Sequence, residues 1–234
     1  MGLDATLRDL EGVAGWLSDA QALRLWARAS ELTAPARIVE IGSFQGRSTV
    51  VLARAAADGV EVVAIDPHAG NDRGPQEIRG YEAEAENDNA VFEANLTRAG
   101  VRDRVRHIRK LSSDAHGDVE GSIDLLYIDG AHRYAPALDD IRRWGARVRD
   151  GGTMLIHDSF SSIGVTAAIA TALATSSEFT YVGRSGSLAE YVRTPSGSVG
   201  RSALRHAREL PWFARNVTLK ALIAAGILKR DWPY

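Results

Sequence analysis

The 234-residue chain contains no cysteine. Disulfides and thiolate metal sites are therefore excluded, and any metal must rest on carboxylate oxygen or imidazole. An excess of positive charge is also missing: 28 Lys and Arg against 30 Asp and Glu give a formal net charge of −2. Nucleic acid is not an expected partner of a chain with that balance. Lysine is scarce, at three residues against 25 arginines, a compositional bias without mechanistic weight. No long hydrophobic run exists either. The longest apolar stretch, Ala221 to Leu228, is too short to span a bilayer. The segment Met1-Gly2-Leu3-Asp4 lacks the basic and apolar regions of a secretory signal, so the cytoplasm is the expected compartment. What remains is an ordinary globular composition, 45% hydrophobic and 25% charged, long enough to bury a full core.

Residues 1–34 read as a helical cover. Ser18-Asp19-Ala20-Gln21 is a capping-box pattern, and Leu25, Trp26, Ala29 and Leu32 recur behind it at helical spacing. From Arg37 the pattern alternates between strands and helices. Strands are expected over 37–41, 60–65, 104–108, 123–128 and 153–156, and helices over 48–57, 82–99, from Pro136, and over 165–175. Gly151-Gly152 reads as a break before the fifth strand, and 69–80 as a loop. Segments 179–182 and 188–192 read as a hairpin joined by a Gly/Ser turn. Together these predict an α/β fold with a doubly wound, mostly parallel seven-stranded sheet and a C-terminal antiparallel hairpin. The expected organisation is a cover over 1–34, a ligand-binding domain over 35–194 and a helical extension over 195–234. Leu210, Trp212, Phe213, Leu219, Leu222 and Ile223 give the extension apolar surface for a homodimer contact. The alternative is a helix folded back on its own core.

Open α/β sheets hold ligands at the C-terminal ends of their strands. Two aspartates beside histidines stand at such ends: Asp129 in Ile128-Asp129-Gly130-Ala131-His132, and Asp158 in Ile156-His157-Asp158-Ser159. Two carboxylates and two imidazoles at one edge suit a divalent cation, with one histidine left as a base. The first strand runs into the glycine-bearing turn Glu40-Ile41-Gly42-Ser43-Phe44-Gln45-Gly46-Arg47-Ser48. Such a turn lets a ligand approach the backbone and meet helix N–H groups. Its spacing departs from G-x-G-x-x-G, which weakens a pyrophosphate reading. Asp66 ends the second strand, where a carboxylate accepts hydrogen bonds from both ribose hydroxyls of an adenosine.

On these motifs, over residues 37–192, the chain resembles class I S-adenosylmethionine-dependent methyltransferases, a Rossmann-like fold. The segments Leu125–His132 and Gly151–Asp158 resemble the late motifs of the metal-dependent O-methyltransferase branch. Within it the chain is similar to bacterial enzymes that methylate sugar hydroxyls, including those of macrolides and of mycobacterial methylmannose polysaccharide. The resemblance implies that Glu40, Ile41, Gly42, Ser43, Gly46 and Ser48 form the turn that holds the methionine part of S-adenosylmethionine. Asp66 then holds the ribose with His68 beside it, and Ser113 and Asp114 border the adenine. Asp129, also at the cofactor, and Asp158 hold Mg²⁺ or another divalent cation. His157 stands where the sugar-methylating relatives carry a glutamate, so it is either a third ligand or a neighbour of one. Asp129 and His132 are three residues apart, which lets Asp129 hold the cation while His132 takes the acceptor proton.

The acceptor implied is a small molecule or oligosaccharide, met by segments 69–80, Arg133-Tyr134 and 159–163, with Tyr81 and Tyr134 as aromatic contacts. Competing readings are a catechol-like or natural-product O-methyltransferase, an NAD-linked oxidoreductase, and a catalytically inert partner. His107, His116 and His206 read as surface or packing residues.

Overall fold

The computed structural model describes residues 2–69, 87–194 and 197–228. Seven strands form one sheet: β1 (Arg37–Ile41), β2 (Glu61–Ile65), β3 (Val105–Ile108), β4 (Ile123–Ile128), β5 (Val148–Ile156), β6 (Phe179–Ser185) and β7 (Leu188–Arg193). Their order is β3-β2-β1-β4-β5-β7-β6. The first five strands are parallel, and β7 runs antiparallel to both β5 and β6. This is the sheet the alternation predicts. Strand order reverses between β1 and β4, and the crevice at such a reversal is where open sheets take ligands.

The described helices are α1 (Leu3–Asp9), α2 (Asp19–Ser30), α3 (Arg47–Ala55), α4 (Asp88–Arg98), α5 (Tyr134–Asp139), α6 (Ile163–Ala172), α7 (Val199–Ala207) and α8 (Leu210–Ala224). Strand alternation feeds two cores. On one face Val39, Ile41, Leu126, Ile128, Met154 and Ile156 pack with Ile141, Trp144 and residues of α6. On the other, Ile38, Val62, Ala64, Leu125, Tyr127 and Leu155 pack with α2, α3 and α4. Burial on both faces explains why the strands read as near-continuous apolar runs. Ser18 caps α2 with both halves of a capping box. Arg24 and Arg28 of α2 pair with Glu190 of β7, a fully buried carboxylate that needs such partners.

Three features depart from expectation. Strand β5 begins at Val148, ahead of the two glycines. Its register against β4 shifts between Ile123 and Leu125, with Gly151 at φ +75°, so the glycines make a bulge and not a break. The helix expected from Pro136 begins at Tyr134 and passes into a π-helical turn over Asp140–Trp144. The hairpin strands run longer, which leaves Gly186-Ser187 as the turn with Gly186 at φ +56°. Most of the loop expected over 69–80 and the start of the helix expected over 82–99 lie outside the described residues, as do Tyr81, residues 195–196 and 229–234. In the C-terminal extension, Trp212 and Phe213 pack against the first core. Asn216, Lys220 and Ile223 are buried, while Leu204 and Leu210 are exposed. No helix among the described residues is long and apolar enough to cross a membrane.

Candidate active site

After β1 the chain turns through Gly42 at φ +85°. A Cβ here would lie 2.1 Å from the carbonyl oxygen of Asp129, so only glycine lets the ends of β1 and β4 approach this closely. The Gly42 N–H donates to the Ile65 carbonyl and the Asp129 N–H to the Ile41 carbonyl, which stitches the ends of β2, β1 and β4 side by side. Gly46 starts α3, also at positive φ. A Cβ there would meet Leu96 of α4 at 2.7 Å, so this glycine serves helix packing.

A cavity of about 360 Å³ opens above the crevice, within the range of small-molecule and cofactor sites. Its wall includes Ile41, Gly42, Ser43 and Ser48 of the turn, Asp66 and His68 after β2, and Ser113 after β3. Asp129 and His132 after β4 and His157 and Asp158 after β5 complete it. The fold thus brings together most of the residues the sequence marks. Glu40, Gly46 and Asp114 are not in the wall. Glu40 is fully buried toward α3, where the Ser48 and Thr49 hydroxyls donate to its carboxylate. Burial raises its pKa to about 8 in spite of those bonds, so it is mostly protonated at neutral pH. Asp114 is exposed beside Ser113, whose hydroxyl donates to it.

The two oxygens of Asp66 accept the N–H groups of Phe44 (2.8 Å) and His68 (2.7 Å). The carboxylate is therefore held rigidly, with lone pairs left for a ligand hydroxyl on each oxygen. The ring of His68 is buried, packed against Phe92 and 3.1 Å from His107 through the two Nε2 atoms. Burial lowers the pKa of both imidazoles. His107 belongs to this packed cluster, His116 stacks on Trp144, and His206 lies among Tyr181 and Tyr191, which agrees with packing roles.

At the other end of the cavity four side chains from two strand ends converge. His132 Nε2 is 2.6 Å from Asp158 Oδ2. His157 Nδ1 is 3.1 Å from Asp129 Oδ1 and 3.5 Å from Asp158 Oδ2, bridging the carboxylates. The Tyr127 hydroxyl donates to Asp129 Oδ2 at 2.8 Å. Burial pulls the His132 pKa down, but the negative charge of Asp158 and then Asp129 outweighs it and the net shift is upward. His157 follows the same logic more strongly. Asp158, although buried, is held well below the usual carboxylate range by the two imidazoles. One ligand atom each from Asp129, His132 and Asp158 lie within 4.8 Å of one another, a spacing that suits one cation. This oxygen-rich set fits a hard divalent ion. His157, which the sequence marked as a third ligand or a neighbour of one, also lies against both carboxylates.

Sequence reasoning missed the segment between α1 and α2. Ala14, Gly15, Trp16 and Leu17 line the cavity. Trp16 stacks on Phe44 with ring centroids 5.7 Å apart. Arg47 donates to the carbonyls of Leu10 and Val13 and so ties the segment to the turn. Helical periodicity describes a cover and carries no sign of where the loop between its helices goes. Tyr127 was also without a role, although its i, i+2 spacing from Asp129 places the two on one face of an extended chain.

The sequence matches the methyltransferase domain family over residues 39–159. It is 30% identical over 132 residues to the uncharacterised protein y4gI of Sinorhizobium fredii; the match covers 53% of this chain and only 13% of that one. Among solved structures, cofactor-bound Rv0187 from MTB is 21% identical with a TM-score of 0.57, covering 82% of this chain and 88% of that one. The O-methyltransferase TomG of Streptomyces achromogenes, involved in tomaymycin synthesis and solved with SAM, is 19% identical with a TM-score of 0.57, covering 82% and 89%. An O-methyltransferase of Bacillus cereus in complex with SAH is 19% identical with a TM-score of 0.58, covering 82% and 90%.

Proposed function

We propose, from the premise that this chain belongs to the methyltransferase domain family, that it is a cytoplasmic, class I S-adenosylmethionine-dependent O-methyltransferase. Its acceptor is a sugar or glycoside hydroxyl, and a divalent cation assists. The observation that carries this reading is the convergence of Asp129, His132 and Asp158 at one end of the cavity whose other end holds Asp66.

The cavity fits S-adenosylmethionine: Asp66 offers a held carboxylate to the ribose hydroxyls, and Gly42 and Ser43 present backbone beside it. The bound donor supplies a methyl on a positively charged sulfonium, and a cation would add charge that favours the deprotonated acceptor. Asp129 and Asp158 would hold that cation, Mg²⁺ by preference of the oxygen donors. With a cation on Asp129 and Asp158 to offset the negative charge that raises the His132 pKa, a neutral imidazole is left to receive the hydroxyl proton at the nitrogen not bonded to Asp158. Asp158 orients the ring and stabilises it once protonated. His157 fixes the relative placement of the carboxylates, and Tyr127 turns Asp129 toward the cavity.

Tyr134, 43% exposed and beside the cavity-lining Arg133, and the Trp16–Phe44 pair offer aromatic faces to a sugar ring. A homodimer belongs to the same proposal; Val199, Leu204, Leu210, Ile227 and Leu228 are exposed apolar residues of the extension available to it, and a monomer mass in light scattering would refute it. The decisive experiment is a screen of glycoside and catechol acceptors with labelled methyl donor, with and without Mg²⁺. Transfer to glycosides, lost in chelator and restored by Mg²⁺, is expected. Undiminished turnover in excess chelator removes the cation, and transfer only to catechols replaces the sugar by an aromatic acceptor.

A further inference from the structure

The turn after β5 holds two non-glycine residues in the left-handed region, Asp158 at φ +55° and Phe160 at φ +57°. Such backbone persists only where its surroundings over-determine it. Part of the restraint is internal: the N–H groups of Ser161 and Ser162 donate to the Asp158 carbonyl, and the Ser161 hydroxyl donates to Asp158 Oδ1 at 3.1 Å. Other ties come from outside. The Ser159 N–H donates to the Ser187 carbonyl, and the Ser162 hydroxyl to the His132 carbonyl. A further one comes from the C-terminal extension: Asn216 Nδ2 of α8 donates to the Phe160 carbonyl at 2.9 Å.

Asn216 is 1% exposed. It lies well outside residues 39–159, the span that matches the family. Helix α8 is itself firmly seated. Trp212 and Phe213 pack on the core, and Glu209 accepts from the Tyr181 hydroxyl and Arg184. The amide therefore approaches the turn from a fixed support, and the Phe160 ring is fixed in turn against Tyr181. We propose that Asn216 is a positioning residue: it holds the left-handed turn through the Phe160 carbonyl and thereby sets the carboxylate of Asp158 against His132. The catalytic consequence rests on the function proposed above; the structural one does not.

The test compares Asn216→Leu, which removes the donor at similar volume, with Phe213→Leu, which loosens the same helix without touching the bond. Hydrogen exchange of the whole folded protein should speed about 10-fold or more over residues 159–162 in Asn216→Leu, the size expected for one buried hydrogen bond. Exchange in β4 and affinity for S-adenosylhomocysteine should stay unchanged. Mn²⁺ affinity of that complex and kcat should fall, with donor KM constant. Unchanged exchange over 159–162, or equal acceleration there in Phe213→Leu at the same loss of Tm, overturns the proposal. Should Asn216→Leu fail to fold, the wild-type side-chain amide gives the answer by NMR: solvent-protected protons support the bond, and free-amide exchange refutes it. Wild-type protein that methylates no acceptor would sink the function while leaving the exchange result to stand.

Discussion

The two ends of the cavity present carboxylates in opposite ways. Asp66 is held by N–H groups of nearby backbone, one from the residue two positions on and one from the glycine turn packed beside it. Asp129 and Asp158 are held by side chains, and each depends on partners from another strand end. A carboxylate fixed by backbone amides is a permanent acceptor, suited to a constant ligand feature such as ribose. Carboxylates balanced by imidazoles can exchange a proton or a cation without rebuilding the fold. The first arrangement suits recognition, and the second suits reaction.

Gly42 joins both ends, so its substitution should have the largest effect. In Gly42→Ala the new methyl meets the Asp129 carbonyl carbon and oxygen, which are backbone atoms that cannot swing away. A loss of more than about 4 kcal/mol in chemical unfolding is expected. Gly46→Ala meets a leucine side chain and should be milder. Similar losses would show that the β1–β4 approach is not the tight point.

His132→Ala separates the ends. It should lower kcat by roughly 10²- to 10⁴-fold while calorimetry shows unchanged affinity for S-adenosylhomocysteine. A parallel loss of affinity would mean the ends are not independent. Asp66→Ala is the converse: cofactor affinity should fall about 10- to 100-fold through lost charge-assisted hydrogen bonds, with kcat at saturating donor little changed.

The last effect concerns Glu40, behind the wall, and is read through pH. It keeps its proton to about pH 8 when folded, against 4.5 for its ordinary value. Between those values the unfolded chain binds fewer protons, so this group's contribution to stability falls as pH rises. Glu40→Gln removes that dependence. The difference in Tm between variant and wild type should shift in the variant's favour from about pH 4.5 to pH 8. A pH-independent difference would place an ionised carboxylate at Glu40.

Much of this was legible beforehand for a physical reason. Strands buried on both faces must be apolar throughout, so β1, β2 and β4 announced themselves, and polar residues just past their ends could only face the crevice. Asp66, Asp129 and Asp158 were found that way. Glu40 lies apart from them because alternation on β1 places it on the α3 face, where two hydroxyls satisfy it.

By itself, then, the sequence determined the alternation of elements, the glycine-bearing turn after the first strand, and the acidic residues at the strand ends. These depend on local conformation and on periodicity, which a linear chain displays directly. Only the tertiary structure decided that both His132 and His157 meet Asp158, that the loop before α2 reaches the cavity, and that Asn216 donates to the turn after β5. Those contacts join residues from separate elements, some more than fifty positions apart, and are fixed by packing, for which sequence spacing carries no signal.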